Sequence, residues 1–231
     1  MPVFECRSLT KRYGRNAALN DVSMSLPAGR VVGLLGPNGS GKTTLIKLAA
    51  GLLTPSAGEI LICGKPVGEE TKALVSYLPE RTYFSENLTV RATVDFFTDF
   101  YADFDRTRAC ELLSRLRVPF DSRIRTLSKG TKEKMQLVLV MSRRAKLYLL
   151  DEPIGGVDPA TRDFILHTII SNRDPEATVL ISTHLIADVE EVVDEFIFIR
   201  EGRLLCYDSA EEARQREGKT LDEMFREAFR C

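Results

Sequence analysis

The clearest chemistry in the chain lies in eight consecutive residues, Gly36-Pro37-Asn38-Gly39-Ser40-Gly41-Lys42-Thr43. Their spacing, G-x-x-x-x-G-K-[ST], is that of a loop that cradles phosphates. Glycines let the backbone curl around phosphate oxygens where a Cβ would clash, so that successive N–H groups converge on one point. Lys42 brings a mobile cation to β- and γ-phosphates, and the Thr43 hydroxyl is a ligand for Mg²⁺. A glycine-rich turn that binds nothing has no need of lysine then threonine after its last glycine. The run Leu147-Tyr148-Leu149-Leu150-Asp151-Glu152 supplies a second group. A buried strand ending in Asp151 would set one carboxylate beside the Thr43–Mg²⁺ site. Glu152, one residue on, faces elsewhere and can accept a hydrogen bond from a water poised for in-line attack on a γ-phosphate.

Two further segments carry candidate groups. Leu127-Ser128-Lys129-Gly130-Thr131 precedes a helical run from Lys132 to Met141. A second phosphate contact and an ordinary N-cap by Ser128 explain that segment equally well at this level. A lone histidine is ordinarily a satisfied surface or core residue. His184, at a strand end next to Thr183, fits a functional role better, whereas His167 does not.

These residues need a frame. Arg30 to Leu35 reads as a buried strand and Thr44 to Ala50 as a helix, so the loop between them meets the positive end of a helix dipole. Continuous apolar runs at Leu147–Leu150 and Thr178–Ser182 read as parallel strands covered on both faces. Val3 to Leu9, Asp21 to Leu26, Glu59 to Cys63 and Ala73 to Leu78 read as further strands, the first two separated by the turn-like Tyr13-Gly14-Arg15-Asn16. From about Thr89 to Leu116 the apolar spacing becomes helical, as in an inserted helical unit. Its stripe of Phe96, Phe97, Phe100, Tyr101 and Phe104 is expected to be core. Asp194 to Ile199 and Arg203 to Tyr207 flank Glu201-Gly202 as a hairpin. Thr220-Leu221-Asp222-Glu223 is a capping box that opens a short helix with Leu221, Met224, Phe225, Ala228 and Phe229 on one face. The fold expected is α/β with a mainly parallel sheet, an N-terminal antiparallel β subdomain and an inserted α-helical subdomain. One domain would span residues 1–231, with about 1–86 and 132–208 as core, about 87–131 as the helical part and about 209–231 as a helical tail.

Composition sets bounds. A chain of 231 residues with 44% hydrophobic content builds a core rather than a disordered coil. Its 32 basic and 33 acidic residues leave a net charge of −1, which does not suggest a nucleic-acid partner. Cys6, Cys63, Cys110, Cys206 and Cys231 are scattered and lack metal-ligand spacing, as reduced thiols of a cytosolic protein would be. Cys6 and Cys63 fall in strand-like runs and read as small core residues. The first residues form no signal peptide, and no run approaches the roughly 18 apolar residues of a membrane span. A soluble protein is expected, whose membrane role would run through a partner.

Taken in order, the motifs resemble the ATP-binding subunit of an ATP-binding cassette (ABC) transporter, over nearly the whole length. Gly36 to Thr43 matches the Walker A loop, and Tyr77-Leu78-Pro79-Glu80 falls where the Q-loop lies. Leu127 to Thr131 matches the signature, usually LSGGQ, and Leu147 to Glu152 matches Walker B with its catalytic glutamate. Gly155-Gly156-Val157-Asp158 matches the D-loop, Ser182-Thr183-His184 ends in the switch histidine, and Tyr13 matches the aromatic that stacks on adenine. The resemblance implies a P-loop NTPase core with ATP and Mg²⁺ as cofactors. It makes Lys42, Glu152 and His184 catalytic, and gathers Thr43, Glu80 and Asp151 around the metal. Tyr13, Gly36 through Thr44, and Asp158 would contact nucleotide. Two subunits would close around two nucleotides, so that Ser128, Lys129 and Gly130 face the γ-phosphate held by a second ATPase subunit, identical or paralogous.

Three positions depart from the family pattern: Glu80 replaces the Q-loop glutamine, Lys129 the first signature glycine and Thr131 the signature glutamine. None of them is Lys42, Asp151, Glu152 or His184, so hydrolysis remains the expectation. A single cassette without a span implies a separate ABC permease, contacted near Glu80 to Phe84, and a cytoplasmic place on the inner face of the membrane. Leu-Pro-Glu, Leu-Ser-Lys-Gly-Thr, Gly-Gly-Val-Asp and the stretch Gly218 to Phe225 resemble bacterial antibiotic and ABC-2-type exporters. The chain ends at Cys231 without the regulatory domain some importers append, so export of a small molecule, drug or peptide is expected. The alternatives are an importer ATPase, or a non-transport ABC ATPase acting on DNA or ribosomes. The latter usually carry coiled-coil insertions or two cassettes, which this sequence lacks.

Overall fold

The computed structural model describes residues 1–230, and Cys231 lies outside them. In chain order the elements are β1 (Phe4–Tyr13), β2 (Asn16–Leu26), β3 (Val31–Leu35), α1 (Lys42–Ala49), β4 (Ala57–Ile62), β5 (Lys65–Pro66), α2 (Glu69–Lys72) and β6 (Val75–Leu78). The helical stretch follows as α3 (Val90–Phe100), α4 (Arg106–Arg115) and α5 (Lys129–Met141). Then come β7 (Leu147–Asp151), α6 (Pro159–Asn172), β8 (Thr178–Thr183), α7 (Ile186–Val189), β9 (Glu195–Arg200), β10 (Arg203–Ser209), α8 (Ala210–Glu217) and α9 (Leu221–Ala228).

The first two strands are longer than hydropathy indicates, and only Gly14-Arg15 separates them. Polar Lys11, Arg12 and Tyr13 stay extended because they pair with Leu19, Ala17 and Asn16 across the hairpin. With β4 and β5 these strands form an antiparallel sheet in the order β2-β1-β4-β5. Cys6 is buried in it as expected. Cys63 is not a strand residue: it follows β4 with a φ of 49°, half-buried in the turn before Gly64.

The second sheet has the order β10-β9-β3-β8-β7-β6, parallel throughout except for the β9–β10 hairpin. Its central strands are buried on both faces, so alternate residues feed two different cores. Val31, Leu35, Tyr148, Leu150, Val179 and Ile181 join the core shared with α5 and α6. Val32, Leu34, Leu147, Leu149 and Leu180 join the core shared with α1 and the antiparallel sheet. The hydrophobic alternation along β3, β7 and β8 therefore specifies both faces at once. The tail helix α9 seats Leu221 in the first core and packs Met224, Phe225 and Phe229 against it.

The helical stretch from Thr89 to Leu116 is two helices, α3 and α4. Thr89 caps α3 by accepting from Ala92 N, Asp105 caps α4 by accepting from Arg108 N, and the chain turns between Tyr101 and Asp105. The aromatic stripe divides accordingly. Phe97 is buried, with Tyr101 and Phe104 packed beside it, but Phe96 and Phe100 are exposed and stack on each other with ring centroids 5.7 Å apart. Five aromatics at these positions span more than one helix face, because Phe96 and Phe100 sit one residue step, about 100°, away from Phe97 and Tyr101. Helix α5 joins the units. In its polar first half, Lys129, Lys132 and Glu133 border the cleft described below. Met135, Val138 and Leu139 enter the helical core, and Leu137, Val140 and Met141 enter the sheet core.

Just past α5, buried Arg143 ties the helical part to the sheet. Its guanidinium donates to both carboxylate oxygens of Asp103 at 3.1 Å, to the carbonyls of Val75 (2.6 Å) and Ala73 (3.1 Å), and lies 4.0 Å from the Tyr101 ring centroid. Removing one partner of such a network leaves the others desolvated and unpaired. Arg143→Ala should therefore lower unfolding free energy by roughly 3 kcal/mol, read from the urea midpoint. A loss below about 0.5 kcal/mol, the usual range for surface changes, would show that the network does not hold the two parts together.

Candidate functional site

The phosphate loop is built by what surrounds it. Parallel pairing of β3 with β8 and β9 ends in the register Leu35↔Thr183 and Leu35↔Phe198, so Gly36 leaves the sheet at its C-terminal edge. A Cβ on Gly36 would lie 2.4 Å from the Ile199 carbonyl oxygen and 2.7 Å from Ser40 Oγ. Gly41, the residue before α1, has a φ of 109°, and a Cβ there would lie 2.5 Å from the Ala18 carbonyl oxygen. The loop is also clipped from outside: Gly202 N donates to Ser40 O at 2.9 Å, and Asn20 N donates to Gly202 O at 2.8 Å. Lys42 is buried and curls back, donating to the carbonyls of Gly36 (2.7 Å) and Pro37 (3.2 Å). Two neutral carbonyls hold an ammonium less strongly than anionic phosphate oxygens would.

Asp151 ends β7 opposite Ser182 of β8. Its Oδ1 accepts from Ser182 Oγ at 2.7 Å and from Thr43 Oγ1 at 3.0 Å. The chain then turns sharply, with Glu152 at a φ of 48°, a conformation uncommon for a non-glycine residue. Its amide donates to Ser182, and its carbonyl accepts from Gly155 N. The turn sends Asp151 down toward Thr43 and Glu152 to the wall of the cleft. Glu152 Oε1 lies 3.5 Å from Lys42 Nζ, and Oε2 lies 3.0 Å from His184 Nδ1. Lys42, Glu152 and His184 thus form one line of contacts along the wall of a cleft of about 910 Å³.

Asn38 through Thr44, Glu80, Lys129, Glu152 and His184 all border that cleft. Gly36 and Pro37 lie behind it, and Asp151 is buried beneath it. Tyr13 does not border it; the ring is exposed at the end of β1, with Lys11 Nζ 5.4 Å from its centroid. Asp158 caps α6 by accepting from Thr161 N and Oγ1. Ser128 caps α5, which begins at Lys129 rather than Lys132, by accepting from Thr131 N at 3.2 Å. Neither Ser128 nor Gly130 borders the cleft; Ser128 is exposed and a Cβ on Gly130 would meet nothing within 4 Å. His167 is exposed on α6, near Ser171.

Arg81 and Thr82, expected at a permease contact, border the cleft too, whereas Ala18, Lys132 and Glu133, and the Ser182 beneath, were not singled out as site residues from the sequence. A helix capped at Ser128 puts Lys132 and Glu133 on the face of Lys129, at i+3 and i+4, so the cap held the signal for those two.

The residues fit Mg²⁺. Asp151 Oδ2 is buried without any hydrogen-bond partner, and Thr43 borders the cleft next to it. Among the described residues no three His, Cys, Asp or Glu side chains could enclose an ion by themselves. Magnesium is ordinarily held in this way, by one or two protein oxygens with the rest of its shell from phosphates and water.

Comparison with known proteins finds relatives over most of the chain. A sequence profile of the family described as ABC transporter matches residues 19–155. The chain is 34% identical to the ABC transporter ATP-binding protein YtrB of Bacillus subtilis (strain 168) over 205 residues, 87% of this chain and 70% of that protein. It is 33% identical to Nod factor export ATP-binding protein I of Burkholderia orbicola over 208 residues, 87% of this chain and 68% of that one. A solved structure of an ATP binding subunit of an ABC transporter superposes with a TM-score of 0.89 at 30% identity, covering 99% of this chain and all of that one.

Burial pushes the Asp151 carboxyl above the usual carboxylate range, against the lowering effect of the Ser182 and Thr43 hydrogen bonds. Its folded pKa exceeds the unfolded one, so the folded chain keeps the proton longer. Stability of the metal-free chain then falls as pH rises from the ordinary aspartate range through the raised value. At neutral pH in a chelator, Asp151→Asn should melt above wild type. The gap should shrink as pH is lowered through the carboxylate range and reverse with saturating ATP and Mg²⁺. Equal midpoints at neutral pH would rule out burial as the dominant influence on Asp151.

Proposed function

The chain belongs to the ABC transporter family, as an ATP-binding subunit, and on that premise we propose that it hydrolyses ATP to power a separate membrane permease by closing as a dimer. The observation that carries this reading is the Lys42–Glu152–His184 line of contacts above the buried Thr43–Asp151 pair. In it, backbone N–H groups of residues 38–43 and the ammonium of Lys42 bind the phosphates. Thr43 and Asp151, with Glu80 at the rim, would hold Mg²⁺, which neutralises charge that develops on the transferred phosphoryl group. Glu152 accepts a proton from, or orients, the attacking water, and His184 holds the Glu152 carboxylate in place. The exposed ring of Tyr13 offers its face to adenine.

The open position of Gly130 and the exposed Ser128 suit contact with a nucleotide on a second subunit, so the cleft is half of a site. No helix among the described residues is long and apolar enough to cross a membrane, so coupling to transport would require a permease partner. Arg81 to Phe84 beside the cleft, with Tyr83 exposed, are where such a partner would dock. The likeness to a Nod factor export protein favours export.

Glu152→Gln keeps the size and the hydrogen bond to His184 but removes the base. It should bind ATP, reduce phosphate release by at least 10² -fold, and accumulate as an ATP-bound dimer on size-exclusion chromatography with light scattering. Wild-type turnover in that variant would sink the assignment of Glu152. A wild-type chain that hydrolyses fast while strictly monomeric would sink the shared site.

A further inference from the structure

His184 leads directly into α7. Leu185 N donates to Thr183 Oγ1 at 3.0 Å, which closes the corner between β8 and α7, and Ile186 and Val189 are buried in the sheet core. A helix of four residues does not hold itself, and α7 is held from both sides. From α6, Arg162 donates to Asp188 Oδ2 at 2.7 Å and to the Val157 carbonyl at 3.2 Å, joining α7 to the loop Gly155–Asp158. From the tail, two contacts converge on Glu190, the C-cap of α7. Its Oε1 accepts from Leu221 N, the first amide of α9, at 2.8 Å. Arg214 of α8 donates to the Glu190 carbonyl, and its Nε lies 3.5 Å from Glu190 Oε1.

These tail contacts are out of proportion to a packing role. The tail is already seated by buried Ala210, Ala213 and Leu221 and by Phe225 and Phe229 against Phe198. The first amides of a helix have no partner within it and turn to a cap, another side chain or water. Here one is spent on a carboxylate that is largely buried, with a side chain 16% exposed, in a charge-assisted bond. That bond lies six residues along α7 from His184, which contacts Glu152.

We infer that Glu190 is a positioning residue: through it the C-terminal tail sets where His184 sits against Glu152. This rests on the proposed ATP hydrolysis, in which His184 and Glu152 act. Loosening Glu190 lets α7 shift, and a displacement of about 1 Å at a catalytic group costs up to 10² in rate. ATP binding at residues 36–43 should persist, because among the described residues no hydrogen bond or ion pair joins that loop to α7 or the tail.

The test uses the full chain. Glu190→Ala should lower kcat roughly tenfold or more with the KM for ATP unchanged, and Arg214→Ala should act in the same direction without touching the core. Glu190→Gln, which still accepts from Leu221 N–H, should recover most of the loss. The chain has only two histidines, so the ring NMR signals are read separately: His184 should move in Glu190→Ala and His167 should not. In a His184→Ala background, adding Glu190→Ala should cost less than twofold further. Full kcat in both Glu190→Ala and Arg214→Ala, an unmoved His184 signal, or the same fractional loss in the His184→Ala background would overturn the inference. A wild-type chain that releases no phosphate would instead overturn the hydrolysis on which it rests, and the NMR comparison would still report whether the tail reaches His184.

Discussion

A central strand sends successive side chains to opposite faces, and neither face of β7 is solvent. Asp151 and Glu152 are consecutive acids at its end, and burying both without partners would carry a large desolvation cost. The left-handed turn at Glu152 is the constraint on which the rest of the site depends. It leaves Asp151 inside, where Ser182 and Thr43 hydrogen-bond one oxygen and the other is left free. It brings Glu152 out, where a lysine and a histidine meet it from either side. An extended residue 152 would point into the sheet, and neither contact could form. The strain of the turn is balanced by the two hydrogen bonds its own backbone makes, to Ser182 and Gly155.

Register carries that local geometry across the sheet. Asp151 faces Ser182 and Leu35 faces Thr183, so residues far apart in sequence leave the sheet at one edge. The C-terminal edge of a parallel sheet is the ordinary place for a ligand. Its stiffness here comes from strands buried on both faces, with the antiparallel sheet on one side and α5 and α6 on the other. The Gly202 turn and the Ala18 carbonyl then press on the phosphate loop from the flank, which links loop conformation to the β9–β10 hairpin and the N-terminal sheet.

Most of this frame was legible in the sequence, since burial on both faces writes continuous apolar runs at β3, β7 and β8, and a capping box announced α9. What was not legible depended on pairing or on helix rotation. The polar ends of β1 and β2 extend only because they pair with each other. The exposure of Phe96 and Phe100 depends on which face α3 turns inward, and an aromatic run that covers two faces does not say. At the site, Lys42, Asp151, Glu152 and His184 stood out by type and position. Ser182 did not, because a serine in an apolar strand has no signal until its neighbour across the sheet is known. The tie from Glu190 to Leu221 was equally silent, joining residues that neither periodicity nor motif connects.

The departures from the family pattern take on a physical sense once they share a space. Glu80 for glutamine adds one negative charge at the rim of the cleft, which alone would oppose a polyphosphate at close range. Lys129 for glycine adds one positive charge, and it borders the same cleft, with Arg81 and Lys132 beside it. The two substitutions cancel in net charge within one cavity. Lys129 also lies 3.7 Å from Glu133, one turn along α5, in a pair that leaves most of the lysine side chain in solvent. A helical part that brings its own cation to the cleft, on a helix whose far half is locked into both cores, ties phosphate charge to the position of α5. Gln136 of α5 also donates to the Pro79 carbonyl, which links α5 to the base of the segment that carries Glu80 and Tyr83.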